Sequence, residues 1–128
     1  TTSEFQTSFI STNPQFGTVT SGDSLAYVPE HQISINLGAR SLRWEHGLSL
    51  RYVSEMRDTA GTGSITQLDK IDSYMVVDYV VSRVLKNGHK VYFRTENLFD
   101  EEYMTSRRPY GARPGKPLHF QLGYKFKF

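Results

Sequence analysis

Apolar and polar residues alternate along much of this chain, most regularly at its carboxy end. From Leu118 onward, Leu118, Phe120, Leu122, Tyr124, Phe126 and Phe128 fall on one side of an extended backbone, and His119, Gln121, Gly123, Lys125 and Lys127 on the other. Successive side chains of a strand point to opposite faces, so this period of two predicts a strand with one wholly apolar face. The same period marks five earlier strand candidates, about six in all. The first covers residues 1–10, and the second covers 31–39, where Ile33, Ile35, Leu37 and Ala39 share a face. The third, 44–57, sets Leu48, Leu50 and Tyr52 against Ser49, Arg51 and Glu55. The fourth, 73–85, sets Met75, Val77, Tyr79 and Val81 against Asp78 and Ser82. In the fifth, 90–99, Val91, Phe93 and Thr95 are expected outward and Tyr92, Arg94 and Glu96 inward. The apolar spacing of an amphipathic helix is missing, and β-branched and aromatic residues dominate.

The connections alternate in length. Residues 40–43 and 86–89 are short turns, the second built on Asn87-Gly88, a strong hairpin signal. Residues 11–28, 58–72 and 104–117 are long, polar and punctuated by Gly and Pro. Pro29 closes the first of these, at a place where a strand tolerates proline. Antiparallel strands joined alternately by short turns and long loops match transmembrane β-barrels, whose turns are short on the periplasmic side and long on the extracellular side. A soluble β-sandwich gives no reason for such segregation.

Composition fits this pattern. Hydrophobic residues make up 38% of the chain and aromatics 13%, a lean apolar content weighted towards rings. Polar lumen-facing positions account for the leanness and interfacial girdles for the rings. No apolar run approaches the ~18 residues of a membrane-spanning helix, so bilayer crossing has to come from strands. There is no cysteine, which excludes disulfides and thiolate metal sites. The net charge of +2 is small and its cations are scattered, with no basic stripe interleaved with stacking rings, so nucleic acid is not an expected partner. His31, His46, His89 and His119 are dispersed, and neither a metal site nor a cofactor is expected. No nucleophile elbow, phosphate-cradling loop or catalytic carboxylate pair occurs, so an enzyme is not expected. Gly61-Thr62-Gly63 reads as a loop tip.

Several strings together carry a resemblance. Glu96-Asn97-Leu98-Phe99-Asp100-Glu101-Glu102-Tyr103, followed by Ser106-Arg107-Arg108-Pro109-Tyr110-Gly111-Ala112-Arg113-Pro114-Gly115-Lys116-Pro117, resembles the C-terminal end of TonB-dependent outer-membrane receptors. Tyr27-Val28-Pro29-Glu30-His31-Gln32 and Tyr52-Val53-Ser54-Glu55 are similar to the family as well. The polar-x-Gly-x-x-aromatic-x-aromatic ending, with Gln121, Gly123, Phe126 and Phe128 on its positions, resembles the terminal signal read by the barrel assembly machinery. The resemblance implies an all-β fold in which residues 1–128 are an antiparallel transmembrane segment, the C-terminal part of a 22-stranded barrel. Alone, such a slice leaves two open edges at membrane depth. The barrel's N-terminal plug and TonB box would lie in sequence not present here; the chain starts at Thr1 without a signal peptide and reads as part of a longer protein.

The function implied is siderophore transport, the active import of an iron chelate across the outer membrane of a Gram-negative bacterium, energised by the TonB complex. Within the family, the Tyr27–Gln32 and Arg107–Gly115 strings look most like the ferric dicitrate branch, so ferric citrate is the expected ligand. A carbohydrate or cobalamin importer, a passive porin and a non-membrane sandwich are the alternatives. Arg107, Arg108, Arg113 and Lys116 place four cations in one loop with Asp100, Glu101 and Glu102 at its foot. Guanidinium forks suit an anionic ferric chelate, and Tyr110 either stacks on one or stiffens a loop shaped by Pro and Gly. The same cations would equally bind lipopolysaccharide phosphates or pair with the neighbouring acids. Inward Glu55, Asp78, Arg94 and Glu96 are either a lumen charge network touching the plug or solvated wall.

Overall fold

The computed structural model describes residues 3–13 and 16–127. Phe128, the last position of the expected insertion signal, lies outside these residues, as does the start of the first strand candidate. The described elements are all strands: β1 (Phe9–Ile10), β2 (Thr18–Val19), β3 (Gln32–Arg40), β4 (Trp44–Val53), β5 (Met56–Arg57), β6 (Lys70–Ile71), β7 (Tyr74–Val84), β8 (Lys90–Glu96), β9 (Met104–Ser106), β10 (Arg113–Pro114) and β11 (His119–Lys125). None of the described residues forms a helix long and apolar enough to cross a membrane.

The main sheet has five strands in the order β11-β8-β7-β4-β3. Its registers put Tyr79, Thr95 and Phe120 in one row, Val81, Phe93 and Leu122 in the next, and Arg83, Val91 and Tyr124 in a third. The opposite face carries the rows Val80, Arg94, Gln121 and Ser82, Tyr92, Gly123 and Val84, Lys90, Lys125. The alternation in sequence is therefore an alternation in space, and a one-residue slip would exchange the two faces. The apolar face is uncovered: Leu37 is 61% exposed, Phe120 58% and Leu122 76%. An apolar area of this continuity on a sheet demands a partner, and a bilayer supplies one.

Three expectations require correction. Among the described residues the first strand candidate contributes nothing to the main sheet; Phe9–Ile10 pairs with Thr18–Val19, and Glu4 forms an isolated bridge with Ser24. Phe5, Phe9 and Phe16 draw together edge-on, with centroids 5.4, 6.0 and 6.4 Å apart, and fold the segment back on itself. The main sheet thus has five of the six expected strands. The third candidate divides at Ser54, where the chain leaves β4; Met56 and Arg57 then pair with Ile71 and Lys70 in a separate ribbon. The fifth candidate also stops early, at Glu96, because Asn97 takes φ 52° and Asp100 takes φ 52°. Asn and Asp accept this left-handed conformation more readily than other non-glycine residues.

The chain forms two compact units. One gathers the three long connections, as Thr1–Gln32, Val53–Tyr74 and Glu102–Gly115, and buries Val19, Val53, Met56 and Ile71 with Asp58. The other contains the sheet, as Ile33–Tyr52, Met75–Glu101 and Lys116–Phe128, and buries Val76, Val77, Ser82, Thr95 and Asn97.

Candidate functional site

β9 and β10 pair as a ribbon whose register shifts at Arg113 and Pro114, and the arginine-rich string lies between them. Arg108 is held on both arms of its fork. Its Nε donates to Asp58 Oδ2 and an Nη to Asp69 Oδ1, each at 3.1 Å. Asp58 is wholly buried, and its Oδ1 has no hydrogen-bond partner among the described residues. The Asp58 amide donates to the Asp69 carbonyl at 2.8 Å, and Thr66 Oγ1 donates to Asp69 Oδ2 at 2.8 Å, so the two acids are set by their own loop before Arg108 reaches them.

Arg107 uses its guanidinium on backbone, donating to the Leu68 carbonyl at 2.5 Å and the Lys70 carbonyl at 3.2 Å. The Tyr27 phenol completes the junction: it accepts from the Arg107 and Arg108 amides at 3.3 and 2.8 Å and donates to the Arg108 carbonyl at 3.2 Å. Tyr27 itself has φ 61°, unusual for a bulky residue, and its amide is tied to the Arg57 carbonyl at 2.8 Å. Charge-assisted bonds to a planar fork are the strong kind. Arg107 and Arg108 thus join three separate stretches of chain. Arg108 pairs with acids 50 and 39 residues away, and no local pattern foretells that.

The remaining loop residues are placed differently. Tyr110 is 84% exposed, and the Arg113 guanidinium lies 5.7 Å from its ring centroid, a cation–π pair facing solvent. A cleft of about 450 Å³ opens beside β6 and β9, lined by Lys70, Asp72, Glu102, Tyr103, Met104 and Arg107 among others. Lys70 pairs with Asp72 at 2.7 Å and Glu55 at 3.9 Å. The Asp72 hydrogen bond and charge, with a smaller part from Glu55, hold the Lys70 ammonium above its ordinary range. Tyr103 stacks on Tyr74 at 4.3 Å, and a Cβ at Gly115 would overlap the Tyr103 ring. That overlap is the physical reason for a glycine at the loop exit.

In the sheet unit, Asn97 explains the Asn-Leu-Phe-Asp string. It is 2% exposed and its amide is fully used: Oδ1 accepts from the Glu101 amide, while Nδ2 donates to the Glu101 and Lys116 carbonyls, all at 2.9 Å. Its own amide donates to Asp78 Oδ1 at 2.9 Å, and the Leu98 amide to the Val77 carbonyl at 2.7 Å. Asp100 Oδ1 accepts from the Leu118 amide at 2.9 Å. The string is a clasp that fixes where β7 begins and where β11 departs.

The inward charges are consequently dispersed. Asp78 serves Asn97, Glu55 serves Lys70, and Arg94 pairs with Glu96 at 2.9 Å. Glu96 also takes Lys116 and His119, so Lys116 is joined to the strand wall. Sequence reasoning missed a second hub, Glu45, which receives Arg40 at 2.8 Å, Ser82 at 3.2 Å and Lys90. Of the insertion-signal residues, Gln121 faces Arg94, Gly123 lies beneath the Tyr92 ring, and Phe126 packs on Tyr124 at 4.6 Å and His89 at 5.5 Å.

No protein-family model matches the chain, and no curated protein does. Two solved structures match: the ferric-catecholate import receptor Fiu from E. coli K12 in its closed form, 28% identical with a TM-score of 0.65, and in its open form, 23% identical with a TM-score of 0.66. Each match covers 77% of this chain. The chain spans only 14% and 16% of the lengths of those receptors. The chain is therefore an all-β, antiparallel segment with the fold of part of that receptor's barrel, in keeping with the TonB-dependent receptors that its motifs resemble.

Proposed function

We propose that this chain is the C-terminal wall of an outer-membrane receptor that imports a ferric chelate by TonB-dependent transport. The observation that carries the reading is the exposed apolar face of a sheet whose fold matches an import receptor at 28% identity. The apolar rows meet lipid and lipopolysaccharide acyl chains, the polar rows line the lumen, and the loops supply part of the ligand surface. Plug, TonB box and the other strands of the 22-stranded barrel belong to the rest of the parent protein. The Tyr27–Gln32 and Arg107–Gly115 strings favour ferric dicitrate, whereas the names of the matched structures favour a ferric catecholate.

Uptake of radioiron by cells whose sole ferric-chelate receptor is the full-length parent tests the proposal, with ferric catecholate and ferric dicitrate supplied separately. Uptake abolished by loss of TonB supports energised import, and the chelate that is taken up assigns the class. Uptake of neither, or uptake indifferent to TonB, overturns it in favour of another ligand or a passive pore.

A further inference from the structure

We infer that the short-turn end of the sheet, centred on Arg83, is a docking surface for phospholipid headgroups; the inference rests on the outer-membrane reading above. The chain's charge is sharply divided. Arg40, Arg43, Arg83, Lys86, Lys90, Lys125 and Lys127 cluster in and beside the turns 40–43 and 86–89 and the end of β11, where Glu45 is the sole acidic side chain. The remaining eight cations face twelve carboxylates elsewhere. A chain of net charge +2 thus carries its whole positive excess at one end of its strands. Glu45 receives Arg40 and Lys90 on the polar face, which leaves Arg83, on the other side, without an acidic side chain of that cluster to meet among the described residues.

Arg83 is exposed and shares its row with Val91 and Tyr124, so it is a cation set into the apolar face. Its Cζ lies 5.0 Å from the Trp44 ring centroid. Trp44 stacks on His46 at 6.2 Å, and His46 Nδ1 lies 2.7 Å from the Tyr79 hydroxyl. On the other flank, His89 packs at 5.5 Å on both Tyr124 and Phe126. Aromatic side chains with polar handles collect where headgroups meet acyl chains, and they mark this level of the sheet as that interface. A guanidinium anchored by a ring face keeps its N–H edge for a phosphate, which it matches in a bidentate fork. Beyond Arg83 the face continues as Val81, Phe93 and Leu122, suited to the acyl chains of the same molecule. Free phosphate would make no use of those rows; a phospholipid uses both parts.

The test uses the full-length protein extracted from vesicles that contain equal phosphatidylglycerol and phosphatidylcholine, with retained lipid counted by native mass spectrometry. The wild type is expected to retain phosphatidylglycerol preferentially, and Arg83→Gln to weaken that retention by about fivefold, the effect of one cation at an anionic membrane surface. Arg83→Lys should lose less. Should Arg83→Gln fail to insert, the turn variant Arg43→Gln, Lys86→Gln gives the same reading, with loss of retention supporting the site and unchanged retention rejecting it. Unchanged retention in a properly inserted Arg83→Gln protein overturns the headgroup site and leaves the membrane reading standing. Displacement by inorganic phosphate, or tighter binding of polyglutamate than of lipid, overturns it in favour of a free-anion or acidic-protein surface. A wild type that stays dispersed without detergent and enters no vesicle rejects the outer-membrane reading itself.

Discussion

Tyr92 of β8 lies across Gly123 of β11, its directly opposed partner, so closely that a Cβ on Gly123 would overlap the ring. A ring laid over an unsubstituted glycine fills the gap that glycine leaves in a strand and shields the ladder beneath it. Gly123 therefore has a folded-state role besides its place in the inferred insertion signal. Gly123→Val should cost about 1–3 kcal/mol through overpacking, and Tyr92→Ala in the same protein should recover much of that loss. Denaturant unfolding of the full-length parent protein in detergent measures both; a Gly123→Val penalty unaffected by Tyr92→Ala would show that the ring is not the obstacle.

The orientation of β11 makes a second prediction. Leu122 and Gln121 are adjacent, yet they occupy opposite faces of the sheet. Leu122→Arg, one row inside the level of Arg83, should cost about 1–2 kcal/mol, between the interfacial and midplane values, and Gln121→Arg close to nothing. Equal costs for the two substitutions would reject the lipid-facing assignment of the apolar rows.

What the sequence made legible follows the reach of each signal. The period of two spoke for β3, β4, β7, β8 and β11 because one property, burial in an apolar phase, acts on every second residue. Phe5 and Phe9, four residues apart with Thr7 between them, do not sustain that period, and the rings they carry pack on Phe16 instead. The loop chemistry was legible only as composition. That Arg108 matters could be read from its neighbours, but its anchoring to Asp58, Asp69 and Tyr27 depends on loop closures over tens of residues. Asn97 was recognised as part of a string; its mechanism required knowing that Glu101 and Lys116 present backbone to it.

The Asn97 clasp is open to direct measurement. Asn97→Ala removes two donors and an acceptor from part-buried bonds to the Glu101 and Lys116 backbone, at about 0.5–1.5 kcal/mol for each bond lost. Faster amide exchange at Glu101 and Leu118, in the clasp and just beyond Lys116, is the expected signature. Exchange confined to the substituted residue would show that the clasp does not hold β11.

Arg108 offers a sharper contrast. Asp58 is buried but Arg108 is 38% exposed, so its removal leaves a carboxylate that solvent partly screens, and Arg108→Ala should destabilise the loop unit by about 1–3 kcal/mol. Adding Asp58→Ala should restore part of the loss, because the buried charge is then gone. Limited proteolysis within 58–72 and 104–117 reports the local opening. Protection equal to wild type in Arg108→Ala would mean that the junction contributes nothing to loop order.

If the loop also captures the proposed ferric chelate, its ligand residues have to be those not already spent on the fold. Arg107 and Arg108 hold neighbouring loops and Lys116 holds Glu96, whereas Arg113 and Tyr110 present a cation and a ring to solvent. A charge-assisted contact from Arg113 to an anionic chelate is worth about 1.5–3 kcal/mol when desolvated, against under about 1 kcal/mol for a contact left in water. Arg113→Ala should thus weaken chelate binding by at least about tenfold without loosening the loop, and the wild-type affinity should fall as salt rises. Fluorescence titration of the full-length receptor with ferric catecholate and ferric dicitrate, run beside the proteolysis assay, separates lost contact from lost order. Affinity unchanged in Arg113→Ala, with Arg108→Ala weak only where the loop is also cut, would assign the loop to scaffolding and place capture elsewhere in the parent.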